Sequence, residues 1–390
     1  MAKTTWTRRE RVLTALEHRE PDRVPLGMSI TIDAYNNLKQ HMGLDIQEDL
    51  RPGHWTDVPI HPVVADKFGL DILWFRLGSA ARKTSRPSPE GIQIDEWGIE
   101  WTKVERPSGG YYFEMSRHPL AHASVSDLDD YPWPDPYDPA RIQGLREGLR
   151  EGLREMHDNT DFAILAKFGG AVFETAWYMR GMERFFLDMV ENPSFVHALL
   201  HKISEVQRGF DDVGIEAAGE YVDILRLSGE DLGTQLGPLI SLKMFRSMVR
   251  PYLEPLWRFA REKLLQKNPR AKIMLHSCGA VTSFIPDWID MGLDILDPIQ
   301  PLAAGMDPLQ LKCRFGDRLS FHGGIDAQHV LPEGSEEDVR QHTRRYMQAL
   351  APGGGYIVAP VHNVQGDVPA RNLIAMRDAV MEYGQYPIRA

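Results

Sequence analysis

The chain has 390 residues, a formal net charge of −11, 43% hydrophobic and 25% charged residues, the profile of a globular protein with a large core. The acidic balance excludes non-specific binding to nucleic acid or to anionic membrane, since both need a surplus of Lys and Arg. No apolar run approaches the roughly 20 residues that cross a bilayer, residues 1–25 hold no apolar signal stretch, and two cysteines, Cys278 and Cys313, build no disulfide framework, so a cytoplasmic location is expected.

In chain order, Val12, Leu13 and Leu16 recur at helical spacing behind the N-cap candidates Thr5 and Thr7, and "REPDR" ends that helix. "VPLGM" (24–28) and "GLDILWF" (69–75) read as buried strands. Between 75 and 135 the alternating "IQIDEWGIEWTKV" and "YYFEM" predict antiparallel hairpins, followed by a surface connection rich in Pro and Asp. "GLREGLREGLREMHD" predicts one exposed helix edged with Glu and Arg.

Beyond it, strand-like runs at 162–168, 222–227, 272–277, 293–297, 318–324 and 356–360 alternate with helical stretches, and a helix closes the chain. With 24–28 and 69–75 these make eight strand candidates. Alternating β and α units imply a parallel sheet, and eight of them over this length predict an α/β fold of the (β/α)8 TIM-barrel type. We expect a single domain over 1–390, with 75–135 as a hairpin-rich insertion on an N-terminal helical elaboration.

Barrel active sites gather at the C-terminal ends of the strands, and polar residues recur there: Lys167, Glu230, Asp231, His276, Cys278, Asp297, His322, His362 and Asn363. Strand side chains alternate, so His276 and Cys278 share a face, and Gly279 lets the chain turn directly afterwards. An imidazole and a thiolate at this spacing can hold one zinc ion, and catalytic zinc takes three protein ligands. For the third, His362 in "PVHN" is favoured over Glu230, Asp231 and His322, with Glu230 as a displaceable fourth; Cys313 falls in a helical stretch on the outer ring.

Plainer readings exist for each. A buried Cys is often only a small hydrophobe, Glu230 and Asp231 suit the N-cap of the following helix, His322 suits a hydrogen-bonded structural role, and Lys167 suits an ion pair in the barrel mouth. Asp71, Glu230 and Asp231 are the catalytic candidates, Lys167, His322 and Asn363 the substrate-binding ones. Trp74, Trp97, Trp101, Tyr111 and Tyr112 are candidates to line the mouth and stack on an aryl substrate.

The stretches "RRERVLTALEHREPDRVPLG", "GEDLGTQLGPLISLKMFRSMVRPYLEPL", "HSCGAVTSFIPDWIDMGLDILDPIQP" and "APVHNVQGDVPARNLIAM" resemble the uroporphyrinogen decarboxylase superfamily over essentially the whole chain. More narrowly they resemble its zinc- and corrinoid-dependent methyltransferase branch. That resemblance implies a (β/α)8 barrel, zinc held through H-x-C and a later cysteine, and methyl exchange with the cobalt of a separate corrinoid protein. His276 and Cys278 match the first two ligands, and His362 stands near the place of the later cysteine, which makes coenzyme M a doubtful substrate. The decarboxylases carry an arginine-rich segment after their first strand; here Leu26 to Leu38 holds no arginine. Asp71 is matched to their catalytic aspartate. The expected activity is zinc-dependent methyl transfer (O-demethylation) between a small methylated compound, a methoxylated aromatic one being the leading guess, and a corrinoid protein. A decarboxylase and a non-catalytic corrinoid-protein-binding subunit are the alternatives. The exposed hairpins leave a homodimer open.

Overall fold

The computed structural model describes residues 6–48, 50, 56–76, 88, 91–106, 111–139, 141, 150–227 and 229–389. Its strands are, in chain order, β1 (Ile30–Thr31), β2 (Asp57–Val58), β3 (Ile72–Arg76), β4 (Ile92–Ile94), β5 (Glu100–Glu105), β6 (Tyr111–Arg117), β7 (Ala163–Lys167), β8 (Ile224–Leu227), β9 (Lys272–His276), β10 (Ile295–Ile299), β11 (Ser320–Ile325) and β12 (Tyr356–Pro360). Seven of them form one sheet, β3-β7-β8-β9-β10-β11-β12, in which every neighbouring pair is parallel. Helices connect successive strands from β7 onward.

The segment 24–28 is the eighth stave. It is not a regular strand, because Pro25 has no N–H to give a ladder. It nevertheless bonds to both free edges: Gly27 N–H donates to Val358 O (2.8 Å), Val358 N–H to Pro25 O (2.9 Å) and Asp71 N–H to Leu26 O (2.9 Å). The sheet therefore closes as the expected (β/α)8 barrel.

The barrel interior is layered. Ile72, Ala163, Leu165, Ile224, Met274, Ile295 and Ile357 form an apolar floor, buried together with Val12 and Leu16 of the helix Arg8–Leu16. That helix plugs the N-terminal end. Thr7 starts it by accepting a hydrogen bond from Glu10 N–H (3.1 Å) while the Glu10 side chain accepts from Thr7 N–H, a reciprocal cap of the usual kind. Two residues beyond Ile72, Leu165, Ile224, Met274 and Ile295 of the floor, on the same inward face, stand Trp74, Lys167, Arg226, His276 and Asp297, and on β11 His322 stands two beyond Ser320. One polar layer thus lies directly above one apolar layer.

Smaller elements decorate the C-terminal end. β4, β5 and β6 form an antiparallel three-stranded sheet, and β1 pairs antiparallel with β2. The helix expected over 144–158 is present as Arg150–Asn159; residues 142–149 and Ser228 lie outside the described residues. Among the described residues no helix is long and apolar enough to cross a membrane.

Candidate metal centre

The polar layer opens into a cavity of about 190 Å³ at the C-terminal ends of the strands. His276 ends β9, and Cys278 follows on a turn tied down on three sides. Ser277 N–H donates to Asp297 O (2.8 Å), Cys278 N–H to Asp231 Oδ1 (2.8 Å), and Gly279 N–H to Gln300 Oε1 (2.7 Å). Gly279 has φ +84°, and a Cβ there would lie 2.4–2.7 Å from the backbone of Gly233 and Thr234. Only glycine lets these two loops meet.

His362 arrives from the far side of the barrel. Val364, two residues on, is stitched to the chain that follows the 24–28 stave by Val364 N–H to Ser29 O and Thr31 N–H to Val364 O, both 2.9 Å. The result is a convergence: one ligand atom each from His276, Cys278 and His362 lies within 4.8 Å of the other two. The His276 Nε2 to Cys278 Sγ separation is 3.4 Å.

Asp297 organises this cluster. Its Oδ2 faces His276 Nδ1 at 2.7 Å, its Oδ1 faces His322 Nδ1 at 2.7 Å, and Arg226 Nη2 donates to Oδ2 at 3.2 Å. Burial opposes charge on Asp297, yet the His322 and His276 rings hold it well below the usual carboxylate range. A carboxylate accepting from Nδ1–H fixes each imidazole as the tautomer with a bare Nε2. That is the arrangement of metal-bound histidines backed by a carboxylate. The two imidazoles and one thiol fit a zinc ion in donor type and spacing.

Charge in the cavity is predominantly acidic. Burial, then the charges of Asp231, Asp297 and Glu174, push the Cys278 thiol well up, so a cation is the group that would favour its thiolate. His362 is open to the cavity mouth, but the surrounding protein and then His276 push its imidazolium down to about 4, which leaves a neutral ring. Lys167, Arg226, Asp57 and Asn363 complete the polar lining, and Trp74, Trp177 and Tyr178 supply an aromatic wall.

The remaining candidates separate clearly. Asp231, Lys167, His322 and Asn363 line the cavity. Glu230 does not: its carboxylate is wholly buried and accepts from the N–H groups of Val172 (2.6 Å), Phe173 (2.8 Å) and Glu174 (3.3 Å). It caps the helix Phe173–Arg180, which precedes it in the chain, and does not line the cavity. Asp71 precedes β3, at the opposite end of the barrel, where Arg11, Arg23 and Leu26 N–H saturate it. It is a structural anchor.

Of the expected aromatic residues only Trp74 reaches the cavity. Trp97 packs against Trp133 and Phe210, Trp101 is buried with its Nε1–H on Asp95 (2.9 Å), and Tyr111 and Tyr112 sit on the outer hairpin beside Phe113 and Glu114. Glu174, Trp177 and Tyr178 also line the cavity and carry no signal of it in the sequence. They stand on one helix at i, i+3 and i+4, a spacing any amphipathic helix shows.

Fold and site together define a (β/α)8 barrel with, on its C-terminal rim, a cluster of side chains able to hold a metal ion. The model of the uroporphyrinogen decarboxylase (URO-D) family matches residues 110–383, and the chain belongs to that family. Among solved structures, a methyltransferase from Methanosarcina mazei superposes over 97% of this chain and 99% of its own, with a TM-score of 0.64 at 17% identity. An alpha-amylase from Geobacillus thermoleovorans covers 81% of this chain and 68% of its own, with a TM-score of 0.38 at 12% identity. A 2,3-dimethylmalate lyase covers 91% and 79%, with a TM-score of 0.35 at 10% identity. No curated protein matches the sequence.

Proposed function

We propose that the protein is a zinc-dependent methyltransferase that moves a methyl group between a small methylated compound and a corrinoid protein. The observation that carries the reading is the convergence of His276, Cys278 and His362 within 4.8 Å. Family membership and the likeness to a methyltransferase barrel support the transferase class. A zinc ion held by these three side chains supplies Lewis acidity to the oxygen or sulfur that loses or accepts the methyl group.

This chain's own residues do the rest. Asp297 locks His276 and His322 in one tautomer. Trp74, Trp177 and Tyr178 make part of the cavity lining aromatic, which favours a methoxylated aromatic compound over an aliphatic one. Lys167 and Asn363 orient its polar substituents. In the demethylation direction the C–O bond breaks with its electron pair left on oxygen, and the methyl carbon passes to Co(I) of the corrinoid partner.

Decarboxylation of a porphyrinogen is the weaker reading. Among the described residues the cavity is lined by four carboxylates (Asp57, Glu174, Asp231 and Asp297) against Lys167 and Arg226, an environment that repels a substrate bearing many carboxylates.

The test is metal analysis joined to a donor screen. Purified protein should carry close to one zinc per chain, and methyl aryl ethers should methylate a Co(I) corrinoid protein. Cys278→Ala should lose both. Undiminished turnover in metal-free Cys278→Ala protein would sink the proposal, and a barrel that binds the corrinoid protein but turns over no donor would be a binding subunit.

A further inference from the structure

Glu174 is a carboxyl group of the cavity that does not belong to the metal cluster. It stands in the first turn of the helix Phe173–Arg180 and lines the cavity together with Asp231, His276 and His362. Tyr178 OH donates to its Oε1 at 2.5 Å, which orients the carboxyl and leaves Oε2 on the side of Gly229. A Cβ at Gly229 would fall 2.2 Å from that Oε2, so the glycine is what makes room for the carboxyl at this position.

The groups facing Glu174 set its proton. Burial and then the charge of Asp231 raise its pKa to about 7, against the Tyr178 hydroxyl, Lys167 and Arg226. Glu230, behind it on the helix N-terminus, is itself held well above the usual carboxylate range, by burial first and then by Glu174. Cys278 lies close enough for Glu174 to push its thiol upward. A carboxyl that lines the cavity and is held in one orientation by a hydroxyl donor is placed to exchange a proton with a bound heteroatom.

We propose that Glu174 is the proton donor to the heteroatom that loses the methyl group, and the proton acceptor when the reaction runs in reverse. This rests on the methyl-transfer reading. As the C–O bond breaks, its electron pair becomes the oxygen lone pair that takes the Glu174 proton. The products are an alcohol or phenol, the Glu174 carboxylate and a methylated cobalt on the partner; neither oxidant nor reductant is consumed beyond the Co(I) already named.

Two readouts test it. With Co(I) cobalamin as acceptor, Glu174→Gln in the zinc-loaded protein, which keeps an acceptor for Tyr178, should slow anisole by about 10²-fold or more and 4-nitroanisole by much less, because nitrophenolate leaves without a proton; Glu174→Asp should restore part of the anisole rate. Calorimetric affinity for 1,2-dimethoxybenzene should be little changed in Glu174→Gln, whose amide N–H still donates to an ether oxygen. Equal slowing of both ethers, or a loss of ether binding that accounts for the slowing, overturns the assignment of Glu174. Failure of the wild type to bind or demethylate any ether overturns the methyl-transfer reading itself, and the assignment with it.

Discussion

Asp71 at the amino end of the barrel and Asp297 at the carboxyl end are both buried, and each engages partners through both carboxylate oxygens. Around Asp71 the partners are two guanidinium groups and one backbone N–H. Arg11 also engages Asp22, through Nε at 2.7 Å and Nη2 at 2.6 Å. Arginine has no lone pair to offer, so this network ends in itself. Around Asp297 the partners are mainly imidazoles, and each keeps a second ring nitrogen. His276 Nε2 faces Cys278 beside the cavity, and His322 Nε2 has no hydrogen-bond partner. Burial of charge is common to the two ends; spare donor capacity beside a cavity marks the carboxyl end alone.

That contrast can be broken by substitution. The largest effect is expected from Cys278→Ala, which removes the thiolate and should drop zinc content and methyl transfer to background while thermal stability of the metal-free protein changes little. Asp71→Ala should do the opposite. It strands Arg11 and Arg23 at the barrel floor and should cost about 3–5 kcal/mol in unfolding free energy, with zinc per folded chain unchanged; loss of metal without loss of stability would reverse the roles given to the two ends.

Asp297→Asn lies between these. It keeps the shape but weakens the hold on two imidazoles, so zinc affinity in a competitive chelator titration should fall by about 10–100-fold. The smallest effect concerns Asp211, a buried aspartate that belongs to neither end. Its Oδ1 accepts from Gly169 N–H (3.0 Å) and its Oδ2 has no partner. Burial raises its pKa from 3.8 to about 7, so the folded state binds a proton that the unfolded state releases. Its contribution to stability is therefore greatest in acid and falls as the pH rises from about 4 to about 7. Asp211→Asn should flatten that slope and stabilise the protein by on the order of 1–3 kcal/mol at about pH 8, read from denaturant melts at several pH values.

The alternation of strands and helices was legible from residue 160 onward because the strands are continuous apolar runs, as strands buried on both faces must be. The first stave was harder, since Pro25 and Gly27 break its ladder. His276, Cys278 and His362 were legible as a group once strand ends were aligned on one rim. Asp71 was misplaced because "FGLDILWF" does not say where the strand begins: Gly69 ends a short helix with φ +88°, and the strand starts only at Ile72. Glu230 and Asp231 lie beyond the end of β8 at Leu227, where strand alternation no longer says which of two neighbours faces the cavity. Asp297 stands at a strand end in the sequence, but its partners lie on three other strands, β8, β9 and β11, a relation set by the order and register of the sheet. Glu174 was invisible for a similar reason, since it acts from a helix whose cap, Glu230, comes 56 residues later.

The most direct test of the account is X-ray absorption at the zinc edge of the reconstituted protein and of His362→Ala. The wild type should show one sulfur at about 2.3 Å together with nitrogen or oxygen neighbours at about 2.0–2.1 Å, including two imidazoles. His362→Ala should keep the sulfur and lose one imidazole. A shell without sulfur, or an imidazole count unchanged by His362→Ala, would contradict the claim that His276, Cys278 and His362 hold a single metal ion.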